Sequence, residues 1–217
     1  MNVLITSAAT PLAQALAKHL SGEHTVRLTD LVDVDGDGDF VRCGLGHEGE
    51  TEDLVDGMDA IVHLGELPEA LYSDEAEVDF QTRLTYNILF AAREKKVPHV
   101  IYASSLRLFE TCDENWNVTE TWAPRPTPEA KVMARYLGEF TCREFAREHS
   151  VRVTCLRLGD VGGTGTDALA IEDAVAVIDK ALGKSGPMWR VLHVQSDVPN
   201  ARFPTAEMKT ALFDQKQ

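Results

Sequence analysis

Lys131, Arg135 and Glu139 stand four residues apart. On a helix they would share one face, each a turn from the next. A cation beside a lysine disfavours a second charge, so Arg135 could make the Lys131 amine a base. Glu139 can pair with Arg135 and relieve that effect, and the plainer reading is an exposed Lys–Arg–Glu ladder. The acidic run Asp33–Asp39 (DVDGDGD) echoes the start of a calcium loop, with Asp33, Asp35, Asp37 and Gly38 in place. Its twelfth position is Gly44 rather than the bidentate Glu that such a loop needs, and no helix follows, so a solvated turn fits better. Four cysteines, Cys43, Cys112, Cys142 and Cys155, are scattered without a CxxC pair. They read as reduced thiols, and no metal site is expected.

The elements that must position these groups alternate along the chain. Short apolar or β-branched runs at 2–6, 25–29, 40–41, 60–64, 100–103, 151–158 and 190–194 read as strands. Helical spacing marks 11–20, 52–58, 78–96, 128–149 and 171–182. Thr10-Pro11 makes a helix start: Thr as N-cap, Pro as first helical residue. Asp30 ends the second strand. Strands separated by helices imply right-handed crossovers and a parallel sheet. The expected fold class is α/β, a Rossmann-type doubly wound parallel sheet with helices on both faces. One domain over 1–217 is expected, with a minimal C-terminal substrate region from about 160 to 217.

The chain has 217 residues, 44% hydrophobic, with 35 acidic and 21 basic side chains and a formal charge of −14. That length buries a core without disulfides or metals. So acidic a surface repels phosphate backbones, which argues against nucleic acid and anionic membranes as partners. No apolar run approaches a membrane span, and no basic and apolar leader precedes Val3-Leu4-Ile5-Thr6, so a cytoplasmic protein is expected.

Five segments in register carry a resemblance: VLITSAATPLAQALAKHL, LVDGMDAIVHLGE, NILFAAREKKVPHVIYASS, YLGEFTCREFAREHSVRVTCLRLGDV and VLHVQSD. Together they resemble the NAD-dependent epimerase/dehydratase branch of the extended short-chain dehydrogenase/reductase family, in particular its compact uronate-dehydrogenase-like members. The resemblance covers nearly the whole chain, and it implies NAD as cofactor. In the family the first βα turn reads GxxGxxG, so that backbone can approach pyrophosphate. Here those positions are Ser7, Thr10 and Ala13. Either the Ser7 and Thr10 hydroxyls still hold a nucleotide, or the helix caps itself without one. Asp30 falls where a carboxylate accepts the adenosine ribose hydroxyls, favouring NAD over NADP, and Leu64 lies along the cofactor. The family's Asp near adenine is replaced by Gly44, and Glu66 stands where a small residue usually covers the cofactor. A carboxylate there would repel pyrophosphate.

The family's chemistry uses a Tyr, a Lys four residues later, and a Ser after the central strand. The Ser has its match in Ser105. Counting back from Gly138-Glu139 places Lys131 at the Tyr position and Arg135 at the Lys position. The residues four beyond Tyr72, Tyr86, Tyr102 and Tyr136 are Ala76, Phe90, Leu106 and Phe140, so no YxxxK exists. Tyr136, five residues past Lys131, is rotated about 140° around the helix. The family's helper Asn falls at Gln81, with Leu84 at a small-residue position. His63 matches the family's HLAA and reads as a hydrogen-bonded strand-end histidine. These losses argue against NAD binding and point to a pseudoenzyme serving as scaffold or ligand sensor. The alternative is an NAD-dependent oxidoreductase or epimerase acting on a sugar or uronate with altered catalytic residues. A sugar or nucleotide ligand remains open. The resemblance further implies a homodimer through helices 78–96 and 128–148.

Overall fold

The computed structural model describes residues 1–35, 38–47 and 49–214. Asp37 of the acidic run lies outside them, and among the described residues no cluster of His, Cys, Asp or Glu could hold a metal ion. The elements follow in the order β1 (Asn2–Ile5), α1 (Pro11–Leu20), β2 (Thr25–Asp30), β3 (Asp39–Arg42), α2 (Glu50–Val55) and β4 (Ala60–His63). Then come α3 (Asp74–Asp79), α4 (Thr85–Glu94), β5 (His99–Ser105), α5 (Ala130–Arg147), β6 (Arg152–Leu158), β7 (Asp160–Val161) and β8 (Ala168–Leu169). The chain closes with α6 (Ile171–Gly183), β9 (Trp189–Val194) and α7 (Ala206–Leu212).

Seven strands form one sheet in the order β3-β2-β1-β4-β5-β6-β9, all pairs parallel. This is the Rossmann-type α/β arrangement, with the order reversing between β1 and β4. Ligands in such sheets bind outside the strand C-termini at that reversal. Both faces are covered, so the central strands run apolar with little alternation. On one face Val3, Ile5, Val62, Ile101 and Leu156 pack under α1, α6 and α7. On the other, Leu4, Ile61, Val100, Tyr102 and Cys155 pack under α4 and α5. A smaller cluster of Leu106, Phe109, Val118 and Phe203 lies past the end of β5.

Several boundaries differ from expectation. The helix expected at 52–58 runs Glu50–Val55, and Gly57, at φ +75°, turns the chain into β4. The helix expected from Val78 starts at Asp74, because the Ser73 hydroxyl caps it by accepting from the Ala76 amide. It also contains a π turn at Phe80–Leu84 before α4. The helix expected over 128–149 occupies Ala130–Arg147. Ser104 and Ser105 belong to β5 rather than closing it. Three short elements escaped the sequence: the paired β7 and β8, and α7.

Candidate cofactor crevice and active site

The first βα turn is stitched from within. Ser7 adopts φ +59°, a conformation costly for any residue with a Cβ. Its hydroxyl accepts from the Glu66 amide across the strand-order reversal (3.0 Å). Thr10 caps α1: its Oγ1 accepts from the Ala13 amide (3.2 Å) and donates to the Ser7 carbonyl (2.9 Å). Pro11 is the first helical residue and has no amide to offer. Asp30 is buried, and both its oxygens are engaged by main chain. Oδ2 accepts from the Ala9 amide (2.9 Å) and Oδ1 from the Leu31 amide (2.7 Å). The space left between Thr6, Ser7, Asp30, Leu45, Glu66 and Phe80 is a cavity of about 10 Å³. That is the lower limit for a single water.

Arg135 dominates the other half of the crevice. It projects from α5, buried, onto the C-terminal ends of β4 and β5. Nη1 donates to the carbonyls of Leu64 (2.8 Å) and Ala103 (2.7 Å), and Nη2 pairs with Glu66 Oε1. Gly65 permits this approach: it sits at φ +66°, and a Cβ there would lie 2.7 Å from Nη1. The Lys–Arg–Glu ladder expected on α5 does not form. The helix lies directly on the sheet, which turns positions 135 and 139 inward. Glu139 is buried against β6, bidentate with Arg157 (2.8 and 2.9 Å), and accepts from the Ser104 hydroxyl (2.6 Å). Lys131 is exposed, its Nζ 4.4 Å from the centre of the Tyr72 ring. Ser105 Oγ accepts from the Arg107 amide (3.1 Å) and caps a short 3₁₀ turn.

A network missed by sequence reasoning lies beneath. Gln81, on the π turn, donates to the Gly65 carbonyl and to Glu77 Oε1 (3.2 Å), and accepts from the Tyr102 hydroxyl (2.9 Å). Burial pushes the Glu77 carboxyl up, while nearby Arg135 opposes the shift. Its signals in the sequence were Gln81, at the family's helper-Asn position, and the spacing of Glu77 and Gln81, one turn apart. Burial likewise raises Tyr102 far above the ordinary phenol value, and its hydroxyl is spent on Gln81. His63 bridges Thr6 Oγ1 and Thr85 Oγ1, 3.0 Å from each. The Leu64 amide donates to Thr6, and Thr85 donates to the Phe80 carbonyl. This chain of donors closes with the His63 proton on Nε2. Burial first, then Arg135, lowers the imidazole to about 3, and it is neutral.

The model of the NAD dependent epimerase/dehydratase family matches residues 4–197. The chain belongs to that family. It is similar to a uronate dehydrogenase of Pseudomonas syringae pv. tomato, 26% identical over 168 residues, covering 72% of this chain and 58% of that protein. A uronate dehydrogenase of Pseudomonas putida is 22% identical over 206 residues, covering 90% and 76%. The crystal structure of uronate dehydrogenase from Agrobacterium tumefaciens superposes with a TM-score of 0.87 at 20% identity, covering all of this chain and 84% of that one. A mutant of that enzyme complexed with NAD matches equally well. The compact uronate-dehydrogenase-like fold expected from the five segments is therefore present.

Proposed function

We propose that this family member has lost the Tyr–Lys hydride-transfer chemistry and acts as a pseudoenzyme, a scaffold or ligand sensor. The observation that carries this reading is Arg135. Its guanidinium is spread over the carbonyls of Leu64 and Ala103 and locked to Glu66, at the strand ends where the reacting end of a dinucleotide would lie. The remaining positions agree. A dinucleotide needs free amides at the start of α1, a reachable carboxylate after β2, and room between them. Pro11 removes one amide, Asp30 is buried with a main-chain amide on each oxygen, and the cavity beside it measures about 10 Å³. These features support a crevice without a bound dinucleotide. Lys131, at the tyrosine position, is exposed and held over Tyr72, and the Ser105 hydroxyl accepts from the Arg107 amide.

The relatives favour a second reading: an NAD-dependent oxidoreductase acting on a uronate or related sugar with altered acid–base groups. Titration calorimetry with NAD+, NADH, NADP+ and NADPH decides between the two. No heat of binding with any of the four is the expected result. Saturable binding of NAD(H) that disappears in Asp30→Ala would overturn the scaffold without cofactor and leave a ligand sensor or an enzyme. Turnover of glucuronate or galacturonate, lost in Lys131→Ala, would then establish the second.

Two expectations about setting belong to the same proposal. All four cysteines are buried and unpaired, which supports a reducing, cytoplasmic compartment. A homodimer through the 74–94 helical stretch and α5 is supported by the exposed aromatics Tyr86 and Phe140 on those helices.

A further inference from the structure

We propose that a groove beside the β5–α5 connection, separate from the crevice, binds a neutral saccharide. It has a volume of about 360 Å³, within the range of small-molecule sites, and shares no lining residue with the crevice. The turn Glu114–Asn117 forms one wall, and Asn200 and Arg202, from the segment after β9, form the other.

The wall chemistry selects the ligand. Trp116 is 44% exposed, and its indole leans on Trp122 with centroids 5.7 Å apart. Trp122 packs in turn on the cluster of Leu106, Phe109 and Phe203, so the aromatic platform is anchored below and open above. A large exposed indole costs solvation unless something apolar covers it, and the C–H face of a sugar ring is such a cover. Around the indole stand side chains that match hydroxyls, which both donate and accept. Among the described residues, the Asn117 and Asn200 amides and the Glu114 carboxylate make no hydrogen bond within the protein. Asn115 uses its NH₂ on Asp113 Oδ1 (2.9 Å), which leaves its oxygen to accept. The walls are tied in place. Arg202 Nη2 donates to the carbonyls of Phe109 (3.0 Å) and Cys112 (2.8 Å), and its amide donates to the Thr166 carbonyl (2.9 Å). One carboxylate and one guanidinium cancel within the groove, and the molecule as a whole is strongly acidic. The acidic molecule repels an anionic ligand, whereas a neutral polyol meets no such repulsion and takes its affinity from the hydrogen-bonding side chains and the indole.

The inference stands whether or not the crevice takes NAD. Calorimetric titration of the full chain with cellobiose, maltose, glucuronate and adenosine monophosphate tests it, with quenching of tryptophan fluorescence as the site reporter. Saturable millimolar binding of a neutral disaccharide is expected, weakened about tenfold or more in Trp116→Ala and in Asn117→Ala. Both side chains lie on the surface, so both variants should melt with the parent. Binding of neither disaccharide, binding undiminished in Trp116→Ala, or tighter binding of glucuronate or the nucleotide that is itself lost in Trp116→Ala would each overturn the proposal.

Discussion

His193 is wholly buried between Phe109 and Phe203, and among the described residues neither ring nitrogen has a partner. Burial first, and Arg157 second, hold its value at about 3, against 6.5 for a free imidazole. Below 6.5 the unfolded chain takes up a proton that the folded chain refuses, so stability falls as pH drops from 6.5 towards 3. His63, at about 3, and His99, at about 4, act in the same direction. At pH 5 the His193 contribution alone is about 2 kcal/mol. The uncompensated ring nitrogens add about 1–3 kcal/mol at any pH. His193→Phe is therefore expected to stabilise the protein, and more at pH 5 than at pH 8, by urea unfolding. His193→Leu should follow the same pH trend if the larger ring overpacks its site. Equal effects at both pH values in both variants would mean that the buried imidazole takes up its proton as readily as in the unfolded chain. Neighbouring Arg157 belongs to the same buried polar row. Ser104, Arg157 and His193 are paired across β5, β6 and β9, and Glu139 covers them from α5.

Helix α5 is the element on which the sequence and the structure part most. Its residues could be aligned by spacing, and Lys131 and Arg135 do occupy the helix turns that the family uses for Tyr and Lys. What spacing could not supply was the direction of the charges. A Lys–Arg–Glu ladder looks solvated when only its own helix is considered. The helix in fact lies across β5 and β6, where Gly138 lets the Tyr102 hydroxyl rest against its backbone. The partners that bury Arg135 and Glu139 come from the turn after β4, from β5 and from β6, distant in sequence. The capped start of α1 was legible because capping is local: Thr10, Ala13 and Pro11 lie within four residues. The capture of Asp30 by the Ala9 amide is a contact across 21 residues, and no periodicity announces it. The Glu139–Arg157 pair gives this element its prediction. Both side chains are 5% exposed and joined by two bonds, and the Arg157 Nη1 already lacks a partner. Removing the charge of one leaves the other buried without compensation. Glu139→Gln should cost about 3–5 kcal/mol, read as a lowered denaturation midpoint with unchanged cooperativity. A loss of only a few tenths would mean that water reaches the pair.

Charge decides how copies of the molecule meet. At −14 per chain, two chains repel one another at long range, and any association needs a short-range contact that outweighs the repulsion. The surface of α4 and α5 offers exposed aromatics for such a contact. Phe140 is 51% exposed and Tyr86 43% exposed, and Tyr86 contacts both Phe90 and Phe145. Arg143 lies over Phe140 and Arg93 over Phe90, each paired with a carboxylate, Glu144 and Glu94, so the aromatic patch is nearly neutral in an otherwise acidic protein. Their stems cover the rings, and the paired charges leave the patch little repulsion of its own. Light scattering coupled to size exclusion should thus find a dimer whose dissociation constant falls as salt rises from low to physiological strength, because screening weakens the long-range repulsion more than the apolar contact. Phe140→Glu adds a charge and removes the ring, and should give monomers at all salt concentrations with an unchanged melting profile at low protein concentration. A dimer that loosens with added salt would instead mean that ion pairs hold it. A dimer that survives Phe140→Glu would move the interface to another face.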